Sequence, residues 1–469
     1  MFEPVIAPSG TLLGLLQRGR GDGTLHALTA PRAEALAALD HCVLSDPRHD
    51  WQVENRSLYY ARLYLDLHGE LGEIERHLFG PDDVLDTDEN RTGLALAVLG
   101  HLASYGRQDA LELLRRYAAF GSNWAWALDE LALRDDDAGL RALAEPILAR
   151  FPAQDEAALV AAVRDAYEPR PWRLWAEDPR PHVGARVRAA QEAGSFDRWQ
   201  RQMTPSGPRP GWSVQAVFDW AQEGFERGAV LYVPAARCLT AVAGPEDRAQ
   251  IVRAARDGDD GARCTALRYL ADAHDPDVLD LIEAAVESPA RVVVDAALDS
   301  FERMRSLAAV ERARRWGRRP DALGAAAGRV LACRGGAQDS DLVLWALREA
   351  VRGDGPDAPA LWPLVDGAGR LGIACAAPVL RHIYRETASS HLRGHAARAL
   401  AVTDPSFAAG FAVECLWDCE ESTREIAARH AETGDARVVD QLRRLAADPA
   451  EEAEVQTAVR ARIGPEAAA

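Results

Sequence analysis

The apolar positions after residue 233 predict pairs of amphipathic helices. In residues 262–289, alanine, leucine and valine recur at helical spacing, break at Asp275-Pro276, and then resume. The pattern returns downstream, where Ala297-Leu298 takes the place that Ala266-Leu267 has in the first copy. A helix, a polar turn and a second helix therefore repeat with a period of about 31 residues, within the range of repeat architectures.

One such pair cannot bury all of its apolar surface, because one side stays open after the two helices pack. Stacking the next pair on that side buries it, and a fixed period of this length is typical of helical repeat proteins. The sequence thus predicts an all-α fold, an α-solenoid of stacked antiparallel helix pairs. Residues 214–469 are expected to form its C-terminal array.

Two other ranges differ from this regular array. Residues 1–165 predict an N-terminal domain of divergent helical repeats, since 91–121 and 122–151 align with each other at a similar period. Residues 166–213 contain seven prolines, which oppose a long helix, and four tryptophans, which are unusual in a disordered linker. We expect a Pro/Trp/Arg-rich connector or insertion there, with a short helix over 183–203.

Two stretches carry a resemblance to a known family. LRYLADAHDPDVLDLIEAAV (267–286) and ARALAVTDPSFAAGFAVECL (397–416) have an arginine-containing first helix, an Asp-Pro turn and an Ala/Leu second helix. They resemble HEAT repeats of the bacterial HEAT-like, PBS-lyase type, and the resemblance covers about 233–460. It implies a stacked-helix fold and a scaffolding role, and it implies no particular chemistry.

The charge narrows the classes of partner. The net charge is −18, which opposes unspecific binding to nucleic acid or anionic membranes, although residues 169–215 have eight arginines against four acidic residues. All 54 basic residues are arginine, a bias typical of high-GC genomes that suggests an actinobacterial source. Without a secretory signal pattern, a membrane-length apolar run or a CxxC pair, we expect a soluble, cytoplasmic chain with free thiols.

Two arginine and tryptophan clusters are candidate binding surfaces, because both residue types are common in binding hot spots. The first lies in the predicted connector and the second at the end of one repeat. Their residues are Trp172, Arg173, Trp175, Arg186, Arg188, Trp199 and Arg201, and then Arg314, Arg315 and Trp316. The alternatives are that the tryptophans seal the junction between the arrays and that the second cluster is a solvated helix end.

A third stretch suggests an alternative function. SNWAWALDEL (122–131) is similar to a segment of the HEAT-repeat alkylpurine DNA glycosylases, which implies that Trp124 or Trp126 and Asp129 would flank a damaged nucleotide. The spacing departs from the family's by one residue. The acidic charge of the N-terminal region also makes binding of a DNA backbone hard to explain.

No candidate metal or cofactor site is predicted. The acidic stretch 82–93 begins like a calcium loop, but Arg91 and Ala97 stand where an EF-hand needs glycine and glutamate. His391 and His395 share a helical face without the glutamate of an HExxH motif. We therefore expect no metal and no cofactor.

The sequence as a whole predicts a non-enzymatic interaction scaffold that binds a protein or peptide partner along a concave solenoid surface. The glycosylase is the alternative from another class. A chaperone for a prosthetic group, as in some HEAT-like proteins of phycobilin assembly, is a third hypothesis that depends on fold analogy alone.

Overall fold

The structure of the chain is a computed structural model that describes residues 6–47, 55–85, 88–152, 155–202 and 211–464, excepting the side chains of 195–202. Within these residues every regular element is an α-helix or a short 3-10 helix, and there is no strand. The predicted all-α fold class is therefore confirmed.

Several helices begin at a polar side chain that caps the first free backbone donors. Ser213 accepts a hydrogen bond from the Ala216 backbone amide, and Asp321 accepts one from Gly324. One helix ends at Gly355, whose φ of +82° is a conformation that other residues adopt only with strain. Local sequence thus places many helix boundaries without help from distant residues.

The chain divides into two compact units. Unit 1 spans Met1–Thr204, Arg385–Ala397 and Pro405–Ala469. Its helices are α1 (Leu12–Gln17), α2 (Gly21–Thr29), α3 (Arg32–Leu44), α4 (Arg56–Asp66), α5 (Gly72–Leu78), α6 (Asp82–Leu85), α7 (Glu89–Ser104), α8 (Gln108–Phe120), α9 (Trp124–Arg134), α10 (Asp137–Ala142), α11 (Ala144–Leu148), α12 (Glu156–Asp165), α13 (Arg170–Ala176) and α14 (Pro181–Gln202).

Unit 2 spans Pro205–Tyr384 and Arg398–Asp404. Its helices are α15 (Val214–Glu226), α16 (Tyr232–Val242), α17 (Arg248–Asp257), α18 (Asp260–Asp272), α19 (Val278–Ala285), α20 (Arg291–Arg303), α21 (Leu307–Trp316), α22 (Ala322–Arg334), α23 (Ser340–Asp354), α24 (Leu361–Arg370) and α25 (Ala377–Glu386). The remaining helices belong to unit 1 except for the end of α26, and the last two residues of α25 also belong to unit 1. These helices are α26 (Ser390–Thr403), α27 (Phe411–Cys415), α28 (Glu421–His430), α29 (Ala436–Ala447) and α30 (Ala453–Ile463).

Helices of unit 2 recur at a regular interval. The helices α18, α20 and α22 begin at Asp260, Arg291 and Ala322, so the two steps between successive starts are equal. The helix α18 packs on α20, α20 packs on α22, and α22 packs on α24. A Cβ on Gly367 of α24 would overlap with Ala332 of α22, so these two helices approach too closely for a larger residue. The small residues of the sequence therefore allow close helix packing.

Unit 1 joins the two ends of the chain. Its hydrophobic core runs from α1 to α14 and includes Cys419 from the C-terminal part. The helix α2 contacts α27, and the Cys419 backbone amide donates to the Gly19 carbonyl at 2.9 Å. A Cβ on Gly21 would overlap with the Glu414 carbonyl oxygen. The backbones of α2 and the C-terminal segment are therefore in direct contact.

These units differ from the ranges expected from the sequence, namely 1–165, 166–213 and 214–469. The C-terminal segment from Pro405 groups with the N-terminal helices, because its backbone and side chains contact them directly. The expected connector forms α13 and α14, whose buried residues belong to the same core as α1–α12. Residues 203–210 of that range lie outside the described residues.

Arginine side chains cap the ends of helices elsewhere in the fold. Arg370 donates to the carbonyls of Ala332 and Gly335, both at 2.9 Å, and Arg150 donates to the Ala119 carbonyl at 2.8 Å. The last carbonyls of a helix lack partners within the helix, and a guanidinium can reach two of them at once. Some of the chain's many arginines therefore have a structural role, as caps of helix ends.

Candidate binding site

A cavity of about 360 Å³ opens in unit 1 where the two ends of the chain meet. Helix α4 contributes Tyr59 and Arg62 to its wall, and the segment after α27 contributes Trp417. Arg444 of α29 and Asp448, which directly follows α29, line the other side. The cavity therefore exists only because α4 packs near α28 and α29, which come from the opposite end of the chain.

Arg62 connects α4 to the C-terminal segment in this site. Its guanidinium forms ion pairs with Asp448 at 2.7 Å and with Glu451 at 3.2 Å. The Tyr105 hydroxyl donates to Asp448 at 2.8 Å. Burial alone would lower the pKa of Arg62, but Glu451 and Asp448 outweigh it and raise that pKa. Burial also raises the pKa of Tyr105, to about 12, so the hydroxyl remains a donor at neutral pH.

Two fully buried ion pairs stabilise the cavity wall, and each contributes one lining residue, Arg424 or Asp418. Arg424 binds Glu451 at 2.7 Å and Arg393 binds Asp418 at 2.8 Å, with every one of these side chains at most 1% exposed. Burial raises the pKa of Glu451, but Arg424 and Arg62 outweigh it and keep that pKa below its usual range. Because removal of one partner would leave a buried charge, the pairs hold the wall in one arrangement.

A second polar cluster lies on α7 and α9 in the same unit. Glu130 forms an ion pair with Arg134 at 2.7 Å, and a Cβ on Gly100 would overlap with Glu130. Burial raises the pKa of Glu130 to about 7. Burial and then the charges of Arg134 and Arg62 lower the pKa of His101 to about 4. Within this cluster, Glu130 is therefore the group whose charge changes near neutral pH.

The tryptophans of the predicted connector are in the core. Trp172 is 2% exposed and Trp175 is completely buried, and their rings meet edge to face with centroids 4.9 Å apart. The Trp175 indole donates to the Leu140 carbonyl at 2.8 Å. This corrects their assignment to a binding surface, because burial leaves no face for a partner. Both rings pack within the core of unit 1.

The other candidates of that segment differ from one another. Arg186 is half-buried and binds Glu156 at 2.8 Å, whereas Arg173 and Arg188 are exposed. The side chains of Trp199 and Arg201 lie outside the described residues.

The second arginine cluster is divided in the same way. Trp316 is 4% exposed and packs edge to face on Phe301 at 5.0 Å, which corrects its assignment to a binding surface. Arg314 is paired with Asp339 at 2.8 Å, and Arg315 is exposed. Only the arginines of this cluster face solvent.

The residues of the glycosylase hypothesis are engaged by neighbours. Trp124 meets Phe151 edge to face at 5.7 Å, and Trp126 packs against the core. Asp129 accepts a hydrogen bond from the Glu168 backbone amide at 3.0 Å, and burial raises its pKa to about 6. The contacts of Trp124 and Asp129 favour a packing role.

Among the described residues, no group of three or more histidine, cysteine, aspartate or glutamate side chains is arranged to hold a metal ion. Asp88 of the acidic stretch caps α7 by accepting from the Asn90 amide at 2.9 Å. His391 lies 3.2 Å from Glu420. In the part of the chain that the structure describes, no helix has both the length and the apolar character needed to cross a bilayer.

Comparison of the chain with protein-family models finds no match, and neither does comparison with curated proteins. The cavity residues themselves could not be found from sequence. Their contacts join helices near both ends of the chain, whereas a repeat pattern reports only neighbouring helices. The sequence of α4 contains the lining residues Tyr59 and Arg62, but its pattern reports only which face of the helix is buried.

Proposed function

We propose that this protein is a non-catalytic scaffold that binds a protein or peptide partner, and that the cavity of unit 1 is a docking point for it. The observation that carries the proposal is the combination of Trp417, Tyr105, Arg62 and Arg444 around one cavity. Tryptophan, tyrosine and arginine are the residues most enriched in the hot spots of protein interfaces.

The cavity is suited to binding because its wall is already ordered. Arg62 is held by Asp448 and Glu451, and Glu451 is held in turn by Arg424. Side chains that are fixed before binding lose little conformational entropy when a partner arrives. This arrangement therefore supports recognition of a partner without rearrangement of the site.

We further propose that the helix pairs belong to the HEAT-like class and form a solenoid with a concave surface open to the partner. Support comes from the equal steps between the starts of α18, α20 and α22 and from the packing of each on the next. Stacked helix pairs expose extended faces that commonly bind other proteins. In this proposal the exposed Arg173, Arg188, Arg314 and Arg315 remain candidate contacts outside the cavity.

The experiment is an affinity pull-down with three bait proteins: the full chain, its Trp417→Ala variant and its Trp362→Ala variant. Trp362 is 38% exposed and lies in unit 2, so it is the matched control. We expect a partner that the full chain and Trp362→Ala retain and that Trp417→Ala loses by about tenfold or more, as for a hot-spot residue. The pair is then purified and its affinity measured by calorimetry. Absence of any partner that depends on Trp417 would contradict the cavity as docking point.

The glycosylase hypothesis is not supported to the same extent. The Asp129 carboxylate accepts a hydrogen bond from the Glu168 amide, and the half-buried Trp124 ring meets Phe151 edge to face. Salt-sensitive DNA binding and release of an alkylated base that is lost in Asp129→Asn would restore this alternative.

A further inference from the structure

We propose that the cavity of unit 1 recognises a carboxylate carried on an apolar group, such as a peptide C-terminus or an acidic side chain. This inference depends on the proposed function, because it names the part of the partner that enters the cavity. It follows from which polar groups of the wall already have partners and which do not.

The acidic groups of the wall are largely used by the protein itself. One Asp448 oxygen accepts from the Tyr105 hydroxyl at 2.8 Å and the other from Arg62 at 2.7 Å. Both oxygens of Asp418 accept from Arg393, at 2.8 and 3.0 Å. Asp66 pairs with Arg444 at 2.6 Å through one oxygen. Little acceptor capacity is therefore left for a cationic guest.

Two arginines of the wall have guanidinium nitrogens that can still donate a hydrogen bond. Arg62 binds Asp448, Glu451 and Tyr105 through Nε and Nη2, and within the described residues its Nη1 makes no hydrogen bond or ion pair. Arg444 binds Asp66 through Nη2, and the described residues provide no partner for its Nε or Nη1. Because a guanidinium donates well to a planar carboxylate, these two arginines define the class of the polar group that fits.

The rest of the wall is suited to an apolar body. Leu63, Leu416, Leu445 and Ala447 line the cavity together with Trp417. Most ligand sites combine such a lining with a few polar groups that set the orientation of the guest. A small, strongly hydrated anion without an apolar part would leave this lining exposed, so inorganic phosphate is the weaker fit.

The test measures binding of small probes to the full chain by saturation-transfer NMR titration. The first two probes are N-acetylphenylalanine and its amide, which share the apolar ring and differ in the carboxylate. We expect the acid to bind about tenfold more tightly than the amide, the ratio that one charge-assisted hydrogen bond gives. The cation phenylalaninamide is measured beside them, and inorganic phosphate, which has no non-exchanging proton to observe, is measured by its displacement of the acid.

A second pair of probes separates the two sources of a carboxylate. N-acetyl-phenylalanyl-glutamine carries a free C-terminus and a neutral side chain. The α-amide of N-acetyl-phenylalanyl-glutamate carries only the side-chain acid. The tighter binder of the two decides between a peptide C-terminus and an acidic side chain.

Two variants connect the preference to the residues. Arg444→Gln should reduce the acid-to-amide ratio to about threefold or less, since the variant loses one charged donor. Arg437→Gln is the matched control, because Arg437 lies on the same helix and pairs with Asp435 away from the cavity. Arg62→Lys keeps a cation beside Asp448 but loses Nη1, and it should also reduce the ratio.

The proposal is overturned if the amide binds as tightly as the acid, if phosphate or phenylalaninamide binds more tightly, or if no probe binds. These results are distinct from failure of the proposed function. If a partner still depends on Trp417 while acid and amide bind equally, the docking function stands and only the proposed recognition of a carboxylate is refuted. Absence of any such partner would remove the function whatever the probes do.

Discussion

Units 1 and 2 are built from the same kind of helix, but different ion pairs hold them. In unit 2, Arg248 pairs with Asp275 and Arg268 pairs with Asp299, and in each pair one side chain is 45% exposed. In unit 1, the pair of Arg393 and Asp418 is completely buried. Exposed pairs contribute little to stability, whereas loss of one partner from a buried pair is costly.

The difference follows from sequence separation. The cited pairs of unit 2 join helices within about one repeat, so each repeat supports its neighbour. Unit 1 also joins segments from both ends of the chain, as Arg444 with Asp66 and Arg62 with Asp448 show. Its closure therefore depends on a few specific contacts that no neighbouring repeat can replace.

The largest expected effect is on the buried pair. Arg393→Met should lower the free energy of unfolding by about 3–5 kcal/mol, because Asp418 would remain buried and charged without its partner. The matched change Arg248→Met in unit 2 should cost less, about 1–2 kcal/mol, because Arg248 is 45% exposed although Asp275 is only 8% exposed. Denaturant unfolding gives the totals, and hydrogen exchange assigns the loss to α26–α28 or to unit 2. Equal losses in the two variants would remove the distinction between the units.

The next effect is a pH dependence within unit 1. Burial raises the pKa of Glu130 from 4.5 to about 7, so its contribution to stability is present below pH 4.5 and is lost as the pH rises through 7. Glu130→Gln should therefore gain about 3 kcal/mol relative to the parent chain between pH 4.5 and pH 8. Unfolding curves of both proteins across this range measure the change.

His101 provides the opposite slope in an overlapping range. Its pKa is lowered from 6.5 to about 4, so its contribution is present above pH 6.5 and is lost as the pH falls through 4. His101→Gln should remove the loss of stability that His101 causes between pH 6.5 and pH 4. Because this range overlaps that of Glu130, the decline caused by Glu130 should become steeper between pH 4.5 and pH 6.5. A Glu130→Gln variant whose profile runs parallel to that of the parent chain would show that Glu130 titrates normally.

A steric change tests the close approach of the chain ends. Gly21→Ala should cost about 1–3 kcal/mol, because the new methyl group would overlap with the Glu414 carbonyl. Gly353 of α23 is the control, since a Cβ at this position would lie in open space. Gly353→Ala should be neutral or stabilising by a few tenths of a kcal/mol. Thermal unfolding of both variants measures the contrast, and a harmless Gly21→Ala would show that the contact is loose.

The smallest effect concerns the arginine caps of unit 2. Arg370→Met should cost about 1 kcal/mol, because the carbonyls of Ala332 and Gly335 would lose a charged donor. Arg352 is 71% exposed and pairs only within α23 among the described residues, so Arg352→Met should cost less than about 0.5 kcal/mol. If Arg352→Met were the more costly of the two in chemical denaturation, the capping role would be wrong.

Sequence patterns predicted the helical class and, in unit 2, the helix positions. The spacing of Ala266-Leu267 and Ala297-Leu298 equals the spacing between the starts of α18 and α20, because a local apolar period reports which face of each helix is buried. The same patterns did not separate a buried from an exposed tryptophan. Trp172 and Trp316 are of a residue type that is common in binding hot spots, yet both pack in the interior.

The sequence by itself determined that the chain is helical, where many of its helices begin, and that small residues permit close packing. Only the tertiary structure decided that Gly21 meets Glu414 and that Arg62 meets Asp448, and with them the cavity. The physical reason is that helix formation and the packing of neighbouring repeats depend on residues close in sequence. Closure of unit 1 depends on shape and charge complementarity between segments near opposite ends of the chain, and that complementarity has no periodic pattern along the sequence.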